Sequence, residues 1–205
     1  FRLLLLDSIL PNVTCPSNQA DFYNSNCEFI IPDYTSLITS SDNCDPSLTV
    51  TQTPPTGNIV SSDTSITFLI TDDAGNSTSC SFNLFLSDST TPQISCPSNQ
   101  TAYFSSTCDF TLLDYTPLLT ISDNCDPNLQ INQYPPVGSI INGDTVVKFV
   151  VVDSAGNEDS CSINLDLIDT LSPSITCPIT QNDYYDQNCE FTLLDYSPLI
   201  TVYDN

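Results

Sequence analysis

Residues 79–88 read SCSFNLFLSD and residues 160–169 read SCSINLDLID, one phrase set down twice at a spacing of 81 residues. In the first copy Cys80, Phe82, Leu84 and Leu86 alternate with Ser81, Asn83, Phe85 and Ser87. Strict alternation throws successive side chains to opposite faces, which is the pattern of a half-buried β-strand. The stretch upstream behaves the same way. Ile66, Phe68 and Ile70 alternate with Thr67, Leu69 and Thr71, and Val147, Phe149 and Val151 with Lys148, Val150 and Val152. Phe1–Asp7 (FRLLLLD) aligns with Phe82–Asp88 and Ile163–Asp169, so it reads as the last strand of a preceding repeat.

The spacing of 81 holds along the whole chain. It relates Cys15 to Cys96 and Cys177, Cys27 to Cys108 and Cys189, Cys44 to Cys125, and Cys80 to Cys161. Asp7, Asp88 and Asp169 follow it, as do Tyr34, Tyr115 and Tyr196. Turn residues punctuate each period: Pro54-Pro55-Thr56-Gly57 and Asp73-Ala74-Gly75-Asn76, with copies at 135–138 and 154–157. No stretch shows helical periodicity. Short strands between Pro/Gly turns in units of this size predict an all-β chain of tandem immunoglobulin-like β-sandwich repeats. The expected organisation is the last strand of one repeat at 1–10, repeats at 11–91 and 92–172, and the first part of a further repeat at 173–205. The chain thus reads as a window on a longer repeat protein, or as a subunit whose two open ends neighbouring copies complete.

Composition limits the function. Twenty-five acidic residues face two basic ones, Arg2 and Lys148, with no His, for a net charge of −23. Such a polyanion gains nothing from counterion release at phosphates, which excludes nucleic-acid binding, and anionic membranes repel it. Cations are what it attracts, Ca²⁺ first where carboxylates cluster. With 40% hydrophobic residues the chain still has material for packed cores. Ten cysteines without a Cys-x-x-Cys pair read as disulfides made in an oxidising compartment, hence an extracellular or cell-surface location. The Leu3–Leu6 run is too short to insert in a membrane. Lacking His and free reactive thiols, the sequence offers no nucleophile–base pair, and its carboxylates recur from period to period, so no enzymatic activity is expected.

Read through once, a period runs P-x-[IV]-x-C-P, C-[ED]-F, S-D-N-C-D-P, P-P-x-G, D-x-A-G-N, S-C-S-[FI]-N-L-x-L-x-D. This pattern resembles the hyalin repeat (HYR) domain, carried here by Pro92–Pro97, Ser122–Pro127, Asp153–Asn157 and Ser160–Asp169 with equivalents one period earlier. The family's G-x-T-x-V survives as Gly143–Val147 but reads Ser62–Ile66 in the earlier repeat. The resemblance implies an immunoglobulin-like module of secreted adhesive and matrix proteins or long bacterial surface proteins, with no catalytic residues.

Four cysteines per repeat admit three connectivities. The favoured one gives each repeat two internal disulfides: Cys15–Cys27 with Cys44–Cys80, and Cys96–Cys108 with Cys125–Cys161, followed by Cys177–Cys189. The third set contains only the first two cysteine types, which this pairing satisfies. For Ca²⁺, Asp42-Asn43-Cys44-Asp45 and Asp123-Asn124-Cys125-Asp126 each crowd three oxygen side chains into four residues, with Asp88 or Asp169 to help at a junction. The competing role for these residues is to cap turns. No cofactor is required. Asp7-Ser8-Ile9, Asp88-Ser89-Thr90 and Asp169-Thr170-Leu171 resemble the Asp-Ser/Thr-apolar acceptor of a bacterial O-glycosylation system, marking Ser8, Ser89 and Thr170 as candidate glycan sites. Asn12, Asn76 and Asn99 lie in N-x-Ser/Thr sequons. Phe22-Tyr23, Tyr103-Phe104 and Tyr184-Tyr185 are candidate lateral contacts, and Leu4, Leu6, Phe85 and Ile168 a second patch. The expected function is structural, in an extracellular filament or long cell-surface stalk whose partners are neighbouring copies or repeats. The alternatives are an adhesive module that binds glycans or cell-surface proteins, and an accessory region of a secreted enzyme.

Overall fold

The computed structural model describes Phe1 and residues 6–204. Leu4 and most of the expected strand over residues 1–7 lie outside the described residues. The chain forms two compact units. One comprises Phe1–Gln93, Ile121–Gln130 and Val151–Asp159, the other Ile94–Thr120, Ile131–Val150 and Ser160–Asn205.

The first 81-residue stretch supplies β1 (Asn12–Thr14), β2 (Gln19–Phe22), β3 (Phe29–Ile30), β4 (Thr39–Ser41), β5 (Thr49–Thr53), β6 (Ile59–Val60), β7 (Thr64–Thr71) and β8 (Ser77–Ser87). Their counterparts are β9 (Gln93–Ser95), β10 (Gln100–Tyr103), β11 (Phe110–Thr111), β12 (Thr120–Ser122), β13 (Gln130–Tyr134), β14 (Ile140–Ile141), β15 (Thr145–Val152) and β16 (Glu158–Ile168). β17 (Ser174–Thr176) and β18 (Thr201–Tyr203) complete the set. The fold is all-β and sandwich-like, relieved among the described residues only by single 3-10 turns such as Thr35–Leu37 and Thr116–Leu118.

Strands β2, β8, β7 and β5 make a four-stranded sheet in that order, with β1–β4 and β3–β6 as separate pairs. β7 and β8 are antiparallel neighbours, whereas β2 runs parallel to β8 with Gln19 opposite Leu84. Sequence alternation becomes burial here. Ile66, Phe68 and Ile70 of β7 and Phe82 and Leu84 of β8 lie on the inner face and are buried. Val13 of β1, Phe29 of β3 and Val60 of β6 pack onto them, together with buried Ile31. The second sheet repeats the order as β10, β16, β15, β13. Its core joins Val147, Phe149, Ile163 and Leu165 to Ala102, Leu112 and Tyr115. Each fully buried aromatic or aliphatic side chain contributes about 1.5–3 kcal/mol relative to exposure.

The cystines correct the expectation of two internal disulfides per repeat. Cys15 bonds Cys80 and Cys96 bonds Cys161, each across 65 residues, while Cys27 bonds Cys125 across 98. Cys44, Cys108, Cys177 and Cys189 are free thiols. Cys15–Cys27, Cys44–Cys80, Cys96–Cys108, Cys125–Cys161 and Cys177–Cys189 therefore do not form. The reason is facial. Cys80 stands on the inner face of β8, where β1 packs, and Cys15 at the end of β1 meets it beside the core. Cys27 sits instead on a tight surface turn, and Cys44 is exposed.

Candidate functional site

Two carboxylate triads stand out. Asp7, Asp42 and Asp72 bring one oxygen each within 4.8 Å of one another, and Asp88, Asp123 and Asp153 do the same. Both triads lie within the first compact unit. Each draws on the same three pieces of chain: Asp7 or its counterpart Asp88, the Asp of the S-D-N-C loop, and the Asp of the D-x-A-G-N turn.

Local chemistry builds each piece. Asp72 sits at the head of a turn closed by its own N–H on Asn76 O (3.0 Å) and by Gly75 N–H on Asp72 O (3.2 Å). Gly75 has φ +92°, a region that disfavours a Cβ, as does its counterpart Gly156. The Asn76 N–H and Nδ2 both donate to the Asp72 carboxylate at 2.7 Å, and Nδ2 also reaches Asp7 O at 3.3 Å. Asn157 repeats the arrangement with Asp153 and with Asp88 O. That Asn amide is the clasp between the turn and the Asp7 or Asp88 backbone. Desolvation raises the Asp72 pKa, yet the bonds from Asn76, Gly75 and Ala74 outweigh it and hold the carboxyl below the usual range.

In the S-D-N-C loop Asp42 Oδ1 accepts the N–H groups of Cys44 (2.9 Å) and Asp45 (3.1 Å), and Asp123 Oδ1 those of Cys125 and Asp126 (both 2.9 Å). Their second oxygens are different. Asp42 Oδ2, Asp123 Oδ2 and Asp88 Oδ2 are buried without a hydrogen-bond partner, and Asn124 Oδ1 is too. Buried anionic oxygens left unpaired are costly unless something positive meets them.

Of the residues singled out as Ca²⁺ ligands, the structure brings Asp42, Asp88 and Asp123 into these clusters. Asp45 and Asp126 serve the turns instead. Asp45 accepts Ser47 N–H (2.8 Å) and Asp73 N–H (2.7 Å), and Asp126 accepts Asn128 N–H (2.8 Å) and Ser154 N–H (2.7 Å). Those backbone bonds hold the Asp126 carboxyl below its ordinary pKa. Asn43 and Asn124 place Nδ2 at 3.0 and 3.1 Å from the Sγ of the following cysteine. Asp169 accepts Leu171 N–H at 2.9 Å and belongs to neither triad. Asp7, Asp72 and Asp153 were not among the expected ligands, although the period of 81 carries all three.

Desolvation, followed by the charges of Asp7 and Asp42, pushes the Cys44 thiol up. The bonded cysteine of the next period, Cys125, is joined to Cys27 with Cα atoms 4.9 Å apart, and Asn124 Nδ2 lies 3.4 Å from Asn24 O beside it.

Ser8, Ser89 and Thr170 are exposed, each at the tip of a turn in which the preceding Asp Oδ1 accepts the N–H two residues on. Asn12 and Asn99 are exposed, whereas the Asn76 amide is engaged in its clasp. Phe22 and Tyr103 are exposed, their neighbours Tyr23 and Phe104 half-buried, and Leu6, Phe85 and Ile168 exposed. A hollow of about 400 Å³ is lined by Asp183, Tyr184, Phe191, Leu193 and Tyr196. Asp183, Leu193 and Tyr196 are the counterparts of the core residues Ala102, Leu112 and Tyr115, so the hollow lies where the earlier repeat has its core face.

Residues 87–167 match the family model of the HYR domain, in agreement with a HYR-family domain over that stretch. No curated protein matches the chain. Among solved structures, mouse cadherin-23 EC22-24 is similar at 15% identity, covering 80% of this chain and 68% of that one with a TM-score of 0.46. Human CDH23 EC21-23 is similar at 14% identity, with 95% and 79% covered and a TM-score of 0.41. A 3Ig structure of titin domains gives 11% identity, 77% and 65% coverage, and a TM-score of 0.41. No helix among the described residues is long and apolar enough to cross a membrane.

Proposed function

We propose that this chain is a non-enzymatic, adhesion-type segment of an extracellular array, in which 81-residue sandwich units at 11–91 and 92–172 recur along a filament or cell-surface stalk. One observation carries the reading: strand order, core positions, cystine and carboxylate triad all return at the same offset of 81 residues. A single active site has no reason to be copied with every unit, whereas a repeated mechanical element does. Cystines support a location outside the reducing cytosol, and the HYR match supports the module type. The partners on this reading are further units of the same kind. Gold-labelled antibody against the chain should decorate surface filaments or stalks on intact cells. Label confined to the cell interior would defeat the reading.

Ca²⁺ is the ion that the triads suit. Each triad supplies three carboxylates as hard ligands, with an unpaired buried oxygen on Asp42 in one and on Asp88 and Asp123 in the other, and water completes the six to eight positions the ion takes. Bound there, the ion neutralises like charges and ties the three pieces of chain together. Adding Ca²⁺ should raise the melting temperature and chelator should lower it. Asp88→Asn keeps the Oδ1 acceptor for Thr90 N–H but removes one charge, and should shrink that response. Identical melting curves with Ca²⁺ and with chelator would rule the ion out.

A further inference from the structure

We infer that Cys108 and Cys44 are the open halves of a second cystine joint, each made to close with the complementary loop of an adjoining 81-residue unit. The closed joint is visible in the same molecule as Cys27–Cys125. It joins the second cysteine of one period to the third cysteine of the next, across 98 residues.

Both halves recur in the unbonded positions with their conformation already set. Cys27 has φ +57°, with its N–H on Asn24 O (3.0 Å) and Asn24 N–H on Glu28 O (2.8 Å). Cys108 has the same φ of +57°, its N–H on Ser105 O (3.1 Å) and Ser105 N–H on Asp109 O (2.7 Å). A residue other than Gly is seldom held at positive φ. Its return at Cys108, where no cystine enforces it, means that the turn alone builds this half. The other half behaves likewise. Cys44 and Cys125 both donate their N–H to the Asp two residues earlier at 2.9 Å, and both lie beside the Nδ2 of the preceding Asn. Cys44 is exposed and Cys108 half-exposed, so neither thiol is a packed core residue. Two preformed halves leave little conformational entropy to be lost when the bond closes.

Closure is a two-electron oxidation. One thiolate attacks a small disulfide such as oxidised glutathione and releases one glutathione thiol. The partner thiolate then displaces the second glutathione. The two protein thiols become one cystine, the glutathione disulfide becomes two thiols, and the two protons pass to them. The inference rests on the array reading only for the source of the partner loop. It adds that the array is covalently strapped at each junction.

The test is a chain in which residues 92–172 are duplicated in register, oxidised in a glutathione redox buffer, alkylated without reduction and mapped by peptide mass spectrometry. Cys108 should be found bonded to Cys125 of the inserted copy, so that Cys44, Cys177 and Cys189 stay free as in the parent chain and the inserted copy's Cys108 takes the place of the parent's as the remaining free thiol. Adding Cys108→Ser should expose the inserted Cys125 to alkylation. Alkylated Cys108 and inserted Cys125, beside an intact Cys96–Cys161 bond in the inserted copy, would overturn the joint and leave the array reading standing. So would Cys108 bonded to Cys96, or Cys27 of the parent chain bonded to anything but Cys125. An inserted copy without its own Cys96–Cys161 bond would overturn the array reading and the joint with it.

Discussion

Residues 173–205 carry the same pattern as residues 92–124, yet only the earlier stretch is built into a core. Leu112 is 1% exposed, and its counterpart Leu193 is 78% exposed. Residues 100–103 and 110–111 are strands, paired with β16 and β14, while 181–184 and 191–192 are paired with no strand and form none. What the two stretches share is everything local. Cys189 keeps φ +59°, its N–H reaches Asp186 O at 3.0 Å, the 3-10 turn forms at Ser197–Leu199, and β17 pairs with β18 as β9 does with β12. Turn chemistry needs only near neighbours in sequence, whereas a strand needs its distant partner.

The largest expected effect that sharpens this contrast comes from the cystines. Replacing Cys96 and Cys161 together by Ser should lower the unfolding free energy by about 4 kcal/mol, since the bond closes a 65-residue loop. Cys177→Ser, at the counterpart of Cys96, should leave the urea midpoint unchanged. Leu112→Ala should cost about 2–5 kcal/mol in denaturant titration, and Leu193→Ala under about 0.5 kcal/mol. Equal costs at the two leucines would break the comparison.

A smaller effect belongs to the turn that aims Asp153. A Cβ at Gly156 meets nothing within 4 Å, so Gly156→Ala is opposed only by its backbone at φ +92°. The cost should be about 1–2 kcal/mol, and any Ca²⁺ response should fall with it. The smallest effect should be equal in the two stretches. Thr116 and Ser197, by side chain and then backbone, hydrogen-bond Asp114 and Asp195 and hold both carboxyls below the ordinary range. A depressed folded pKa stabilises the turn above the unfolded value of about 3.9 and loses that contribution as pH falls through the folded pKa. Carboxyl NMR titration should find both groups ionised below the reference pH. An ordinary value at Asp195 alone would show that the turn depends on the core after all.

Much of the molecule could be read before any coordinates. The alternation in 79–88 and 160–169 places Phe82, Leu84, Ile163 and Leu165 on a buried face, and they are buried. The cystine pairing was not legible, because a spacing of cysteines says nothing about which face of which strand each occupies. The favoured short closures joined residues near in sequence, and the sandwich instead set the end of β1 beside β8. The triads were half legible for a related reason. Asp42 and Asp123 were marked by crowding along the chain and Asp88 by its place at a junction, but Asp72 and Asp153 reach the same point through a hairpin turn that sequence proximity does not reveal.

By itself the chain's order of residues determined the period of 81, the strands, the turns with their Asp, Asn and Gly positions, and the oxidising setting implied by ten cysteines. These follow from alternation and from hydrogen bonds that close within a few residues. Only the tertiary structure decided which thiols meet, which carboxylates converge, and which of two like-written stretches becomes a core. Each of those requires two distant segments in one place, and that distance is set by packing across the sheets.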